Sequence, residues 1–548
     1  MRRLRLIALL GAAVSIVLAA VALAAGAFDV QANQPQVAGD PSSNATARFP
    51  TNKQNEPSIA VNPTNASLLI AGANDEQRQP PCGPGPVRGS VAANDCSFFP
   101  GVGTDGVYTS SDSGASWTNR GLLPGFSDNG GSLQSDGDPV IVYGPRPDGS
   151  GSFAGARAAQ AFVNGTRAYY AGLAEFAPGS QPGEQAPELI TVSTSDVNGA
   201  GWSSPVIAAN GHGFLFNDKE DVWADKNPGS PFFGRVYVTW TQFRGSVFTF
   251  FAEPVMVAFS DDGGTTWTSP NQLSAAHNNN TIGGRQGSVV RTGPDGTLYV
   301  LWEDSDLAGS KQVVAVSHDG GLTFSHPITI AHFTDIQDPI PGANFRTDSF
   351  ASAAVDQASG AVYAAWARRS ASGSGEIVVS KSTDGGATWS NPAAASRAAD
   401  GYAFFQGLDV APNGRLDLGY QTLEAKATGP TAYGAGNATV DSFYVRSTDG
   451  GAKWSASTKV SSVSSDPAAS AQNNLRRQFW GDYNTLVSAT ANAWFIYTDS
   501  RTGAACTAVD AFQHGVDGSG PATAKPAPEN ACPAQFGNTD AFVSKVTP

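Results

Sequence analysis

The stretch that decides the fold is Ser260-Asp261-Asp262-Gly263-Gly264-Thr265-Thr266-Trp267. Reduced to Ser-x-Asp-x-Gly-x-x-Trp, it recurs at Ser110, Asp112, Gly114, Trp117; at Ser382, Asp384, Gly386, Trp389; and at Ser447, Asp449, Gly451, Trp454. A copy with Phe in the aromatic place is Ser317, Asp319, Gly321, Phe324, and a stretched sixth copy runs from Ser193 through Asp196 and Gly199 to Trp202. Chemically this is a hairpin turn. Ser and Asp side chains accept backbone N–H groups, Gly takes the positive-φ position, and the aromatic packs back on the strands. Each copy follows a β-rich run such as Val255–Phe259 or Gln312–Val316. The five aspartates Asp112, Asp262, Asp319, Asp384 and Asp449 are therefore read as structural.

Successive clear copies lie 150, 57, 65 and 65 residues apart, and the stretched copy divides the long interval, so one unit spans roughly 55 to 85 residues. A second pattern precedes each turn: a Gly-containing turn, then an apolar strand ending in an aromatic. Examples are Gly234–Trp240, Gly296–Trp302 and Gly360–Trp366. Counted this way, units begin near Glu56, Asp138, Asp218, Arg285, Arg346, Gln406 and Arg477. Antiparallel units repeated around a ring describe an all-β propeller, which removes exposed sheet edges by closing on itself. Seven blades are predicted, with six plus an extra sheet as the competing count. The last strand, Ala541–Val546, stops without a turn motif. The segment around Thr46 to Phe49, within a tether over 33–54, is expected to supply its missing outer strand. The propeller itself is assigned to 55–548.

Composition agrees. The 548 residues include 62 Gly and 35 Pro, and only 15% are charged, which argues against helical bundles and coiled coils. The formal charge of −14 excludes nucleic acid and anionic membranes as partners, since both need clustered Lys or Arg. Arg2, Arg3 and Arg5 precede an apolar run from Leu6 to about Ala25, the pattern of an export signal, assigned to 1–32 with small-residue cleavage sites at Ala24–Ala27 or Val30-Gln31-Ala32. A retained N-terminal anchor is the alternative. A secreted, extracytoplasmic protein follows, and a monomer is expected. Cys82 with Cys96 and Cys506 with Cys532 form two sequence-local pairs, read as two disulfides; no CxxC spacing supports zinc.

The turn motif is that of the Asp-box, or BNR repeat, and from about residue 55 to the C-terminus the chain resembles the sialidase superfamily. Members of that family open with Phe-Arg-Ile-Pro and a strand ending near Leu-Leu-Ala-Phe-Ala-Glu-x-Arg. The matching stretches here are Asn55-Glu56-Pro57-Ser58-Ile59 and Leu68-Leu69-Ile70-Ala71-Gly72-Ala73-Asn74-Asp75-Glu76-Gln77-Arg78. The resemblance implies three arginines clamping a sugar carboxylate, an Asp acid, and a Tyr nucleophile paired with a Glu. Asn55 stands where the first of those arginines belongs, so one leg of the clamp is missing.

In a propeller, the starts of innermost strands and the ends of second strands share one face around the channel. On that face Arg285, Arg346 and Arg501 form the candidate carboxylate triad, with Arg477, Trp480 and Asp482 as further binding residues. Tyr483 is the candidate nucleophile. Asp105 is the best match to the family's acid, Asp75 is second, and Glu303 is a further candidate carboxyl. Each has a structural reading beside it: Arg and Asp at strand ends in adjacent blades pair with one another, and a strand Tyr packs. Trp302, Trp366 and Trp480 are either sugar-stacking platforms or fillers between blades. Asp128, Asp136 and Asp138 offer calcium-type oxygen ligands, though alternating acids in a Gly-rich loop also make plain turns. His212 and the other histidines show no His-x-x-x-His pairing, so no transition metal is expected, and no cofactor. Two functions compete: a secreted exo-glycosidase of the exo-α-sialidase type, and a non-catalytic propeller that binds glycans or proteins.

Overall fold

A computed structural model describes residues 28–34, 48–79, 103–126, 131–153, 161–176, 188–211, 215–246, 249–275, 284–305, 309–429 and 431–548. Seven antiparallel sheets form seven blades, with innermost strands Gln54–Val61, Leu133–Pro145, Leu215–Ala224, Gly284–Thr292, Ser352–Val355, Tyr402–Val410 and Thr485–Ser488. Six blades are four consecutive strands, the third carrying one additional short strand, Thr249–Ala252.

The seventh blade takes its outermost strand from the chain's beginning. Phe28–Gln31 pairs antiparallel with Asp540–Val546, in the register Asp29 to Ser544 and Val30 to Val543. This corrects the expectation that the segment around Thr46 to Phe49 closes the ring. Thr46 lies outside the described residues, and Phe49 instead packs on Phe536 with ring centroids 5.4 Å apart. It also moves the boundaries: Phe28–Ala32, assigned to the leader, are propeller. Asp29 is fixed by Arg501 at 2.6 Å, and the Asn33 amide donates to Asp540 at 3.0 Å.

Seven apolar clusters sit one at each interface between neighbouring blades. Blades 1 and 2 share Ile70, Tyr143 and Tyr170; blades 3 and 4 share Tyr237, Val257 and Trp302; blades 7 and 1 share Trp494, Val543 and Tyr108. Trp240, Trp302, Trp366 and Trp494 are fully buried there, and truncating such a side chain costs about 3–5 kcal/mol. Trp302 and Trp366 therefore fill the blade interfaces and cannot stack on a sugar. An eighth cluster lies beneath an excursion after Asp499 that contains helices Thr507–Asp517 and Pro528–Ala531, stapled by the Cys506–Cys532 disulfide. Cys82 and Cys96 lie outside the described residues.

The Asp-box turns join the third and fourth strands of their blades. In the copy at Asp262, the Ser260 hydroxyl donates to the carboxylate at 2.8 Å, Thr266 N–H donates to it at 2.9 Å, and Gly264 N–H donates to Ser260 Oγ at 2.8 Å. Asp112, Asp319, Asp384 and Asp449 repeat this geometry. The stretched copy keeps only half of it: Ser195 Oγ accepts Gly199 N–H, whereas Asp196 turns to a bidentate pair with Arg167.

Candidate functional site

The innermost strands line a central channel of 840 Å³, with Lys219, Glu220, Asp348, Asp482 and Tyr483 at one end. The same backbone device opens several strands onto that end. Pairing slips between Asn55 and Ser58, across Ser135–Val140, between Asp218 and Asp221, between Gln286 and Val289, and between Phe404 and Gly407. Such bulges leave residues out of the ladder and re-aim their side chains. In each, one residue is left-handed: Glu56 at φ 53°, Asp138 at 57°, Lys219 at 55°, Gly287 at 68° and Phe405 at 46°. A non-glycine residue held this way costs on the order of 1–3 kcal/mol, and such strain gathers where a side chain must be presented. Blades 1, 2 and 3 put charged residues at this position.

These residues meet blade 7 at Gly481. A Cβ on Gly481 would lie 2.7 Å from Glu56 Cγ, so glycine lets the segment carrying Asp482 and Tyr483 close on blade 1. Arg346 donates to Asp482 through Nε at 2.6 Å and Nη2 at 2.5 Å, and Nη2 also lies 3.8 Å from Glu56 Oε1. Asn74 donates to Glu56 Oε2 at 2.6 Å and accepts the Asp138 N–H at 2.8 Å. Asn74 thus ties the Glu56 side chain to the Asp138 backbone, setting the two carboxyls beside each other. Burial, with Asp138 and Asp482 beside it, raises Glu56 well above the usual carboxylate range. Burial first, then Asp138, lifts Asp218 to about 7 and Glu220 well above normal. Burial and Asp482 likewise raise Asp348 to about 7.

Tyr483 stands among these groups. Its hydroxyl is buried without a hydrogen-bond partner, the Lys219 ammonium lies 3.3 Å from its ring centroid, and burial together with Asp138, Glu56 and Glu220 pushes the phenol far up.

The other residues predicted from the sequence divide. Asp482 is in the cluster, but as the partner of Arg346. Arg477 pairs with Asp338 at 2.8 Å. Arg501 is held between Asp29 and Asp499, each at 2.6 Å, at the outer rim of blade 7, because Asp29 belongs to the outermost strand. Arg285 lies 3.8 Å from Asp304, with its side chain 9% exposed. The three arginines proposed as a triad thus have three separate carboxylate partners. Trp480 is fully buried and donates to Gln421 Oε1 at 2.9 Å, so it is packing rather than platform. Asp75 accepts from Tyr108 at 2.7 Å and Gln54 at 2.8 Å as part of the blade 1 interior. Asp105 is fully buried in the same blade, its N–H 3.4 Å from Ser135 Oγ. Glu303 is buried at the end of the second strand of blade 4, and burial followed by the neighbouring Asp335 raises it. Asp128 lies outside the described residues, as does His212; Asp138 is engaged with Glu56. Among the described residues no group of three or more His, Cys, Asp or Glu is arranged to hold a metal.

Sequence reasoning placed Glu56 and Asp218 at strand starts without a role, gave Asp138 only a calcium-ligand reading, and passed over Glu220. The available signal was charge near the start of three consecutive inner strands: Glu56, Asp138 and Lys219 lie 5, 7 and 5 residues before the strand ends Val61, Pro145 and Ala224.

Residues 174–402, which include the turns at Asp262, Asp319 and Asp384, match a family model described as a BNR repeat-like domain. No curated protein matches the chain. Among solved structures, a Hadza microbial sialidase is 16% identical over 74% of this chain and 72% of its own, with a TM-score of 0.38. A protein of unknown function from Dyadobacter fermentans is 13% identical over 76% and 100%, with a TM-score of 0.40. An α-L-arabinofuranosidase from Fusarium graminearum is 13% identical over 69% and 89%, with a TM-score of 0.37.

Proposed function

We propose that the protein is an exported exo-glycosidase whose active site is the carboxyl-rich mouth of the channel, with Tyr483 as nucleophile. The observation that carries this reading is the buried, unpartnered Tyr483 hydroxyl beside the Asp138, Glu56 and Glu220 carboxyls. A structural tyrosine at such a place would normally find a partner for its hydroxyl.

In the proposed reaction the Tyr483 oxygen attacks the anomeric carbon and its proton passes to the neighbouring Asp138 carboxylate, which gives it back when the phenol is regenerated. Asp218, raised to about 7 and so about half protonated at neutral pH, donates its proton to the departing glycosidic oxygen as that bond breaks. Water, deprotonated by Asp218, then cleaves the sugar–tyrosine bond and returns the phenol. Bulges and left-handed residues on three adjacent blades hold these groups in advance of substrate, which favours chemistry over passive binding. The sialidase-type element of the proposal is the tyrosine alone, since the three arginines do not converge.

The test is intact-protein mass spectrometry after incubation with a panel of activated 2-deoxy-2-fluoroglycosides. A glycosyl adduct mapping to Tyr483, and absent in Tyr483→Phe, is expected. An adduct on another residue, or none with any sugar, overturns the assignment.

A further inference from the structure

We infer that the channel mouth selects a sugar bearing a positive charge, an amino sugar with a free ammonium group, and rejects acidic sugars. This rests on the mouth being the substrate site, and it adds the substrate's charge class.

The argument begins with the cations. Arg346 reaches into the mouth, but its Nε–Nη2 edge goes to Asp482, and Nη2 also lies 3.8 Å from Glu56 Oε1. Lys219 lays its ammonium on the Tyr483 ring. Arg285 and Arg501 are engaged with Asp304 and with Asp29 and Asp499. Around them stand six carboxyl groups: Glu56, Asp138, Asp218, Glu220, Asp348 and Asp482. Among the described residues, four of these, Asp138, Asp218, Glu220 and Asp348, have no ion pair with a cation. A sugar carboxylate entering here would meet no free guanidinium and several groups of its own sign, and a charge buried without a partner is strongly disfavoured.

A second observation points to a ligand. Glu220 is 2% exposed and lines the channel, and neither of its carboxylate oxygens has a hydrogen bond to another residue. A buried acceptor pair with no donor is rare in a finished structure. An ammonium group supplies three donors and the missing charge together. Burial raises Asp218, Glu220 and Asp348 above the usual carboxylate range, and an ammonium group beside them favours their charged form. A cleft lined by one sign of charge also concentrates the opposite sign.

The experiment is calorimetric binding at neutral pH of three probes: a glucosamine pentamer, its fully N-acetylated counterpart and sialyllactose, with calcium chloride as a fourth. The expected result is binding of the glucosamine pentamer about tenfold or more tighter than the acetylated one, weakening with added salt, and no binding of sialyllactose. The preference should disappear in Glu220→Gln with the melting transition kept. Equal affinity for the two pentamers, binding of sialyllactose, or displacement of the pentamer by micromolar calcium would each overturn the inference. Hydrolysis is scored separately. Turnover of neutral glycosides without ammonium preference would sink this inference and leave the glycosidase reading standing. Ammonium-dependent binding with no turnover of any glycoside would do the reverse.

Discussion

Arg346 and Asp482 form a bidentate ion pair across the channel mouth, Nε to Oδ1 at 2.6 Å and Nη2 to Oδ2 at 2.5 Å. The pair joins the loop before blade 5 to the segment before the inner strand of blade 7, next to Tyr483. It turns an arginine that a sialidase would offer to its substrate into part of the frame.

Replacing Asp482 with Asn should therefore loosen the frame modestly. The Arg346 side chain is 44% exposed, so water compensates, and a loss of about 1 kcal/mol is expected. Urea denaturation measures it. A loss several times larger would mean that the pair is far less solvated than this exposure implies.

The raised carboxyls give stability a definite pH dependence. Asp218 and Asp348, lifted to about 7 by burial in the folded state, bind protons more tightly folded than unfolded. Between about pH 4 and 7 the native state thus holds more protons, and its stability falls as pH rises. At the acid end, hydrogen bonds from Thr323 and Thr388 hold Asp319 and Asp384 at about 2. Their contribution is present above about pH 4 and is lost as pH falls towards 2. Greatest stability is expected near pH 4 to 6, and Asp218→Asn should flatten the decline from pH 5 to 8. Stability that increased from pH 5 to 8 would contradict this.

The Asp-box aspartates should affect stability alone. Asp262→Ala removes the acceptor for Ser260 Oγ, Thr265 N–H and Thr266 N–H at the turn joining the third and fourth strands, at a cost of about 1 kcal/mol. Glycoside turnover, measured beside the melting curve, should be unchanged.

Ring closure depends on four residues at the start of the folded chain. A chain beginning at Asn33 lacks the Phe28–Gln31 ladder and the Asp29–Arg501 pair, and should be about 3 kcal/mol less stable than one beginning at Phe28. Equal denaturation midpoints for the two chains would show that the seventh blade does not need its fourth strand.

The fold was legible because each Asp-box is a local device: Ser, Asp, Gly and an aromatic within eight residues specify one turn, and a turn recurring at blade spacing specifies a ring. The closing strand was not legible, since Phe28–Gln31 follows closely on the apolar run from Leu6 to about Ala25 and reads as its end. Within the site, position along a strand was readable, so Tyr483 and Asp482 were found. What the side chains bond to was not. Arg501 follows a second strand as the triad requires, yet it turns outward to Asp29, a partner hundreds of residues away in sequence. Asp75 and Asp105 match the family's order, but they hydrogen-bond or bury within blade 1. Glu220 was missed because only the bulge in its strand directs attention to it, and a bulge is set by pairing with the neighbouring strand.

The central claim is tested most directly by the initial rate of hydrolysis across a panel of aryl glycosides, neutral, amino and acidic, for the wild type and for Tyr483→Phe. The account predicts turnover of at least one glycoside and a loss of about a thousandfold or more on removing the phenol oxygen. Turnover by Tyr483→Phe at the wild-type rate, or no turnover of any glycoside by the wild type, would contradict it.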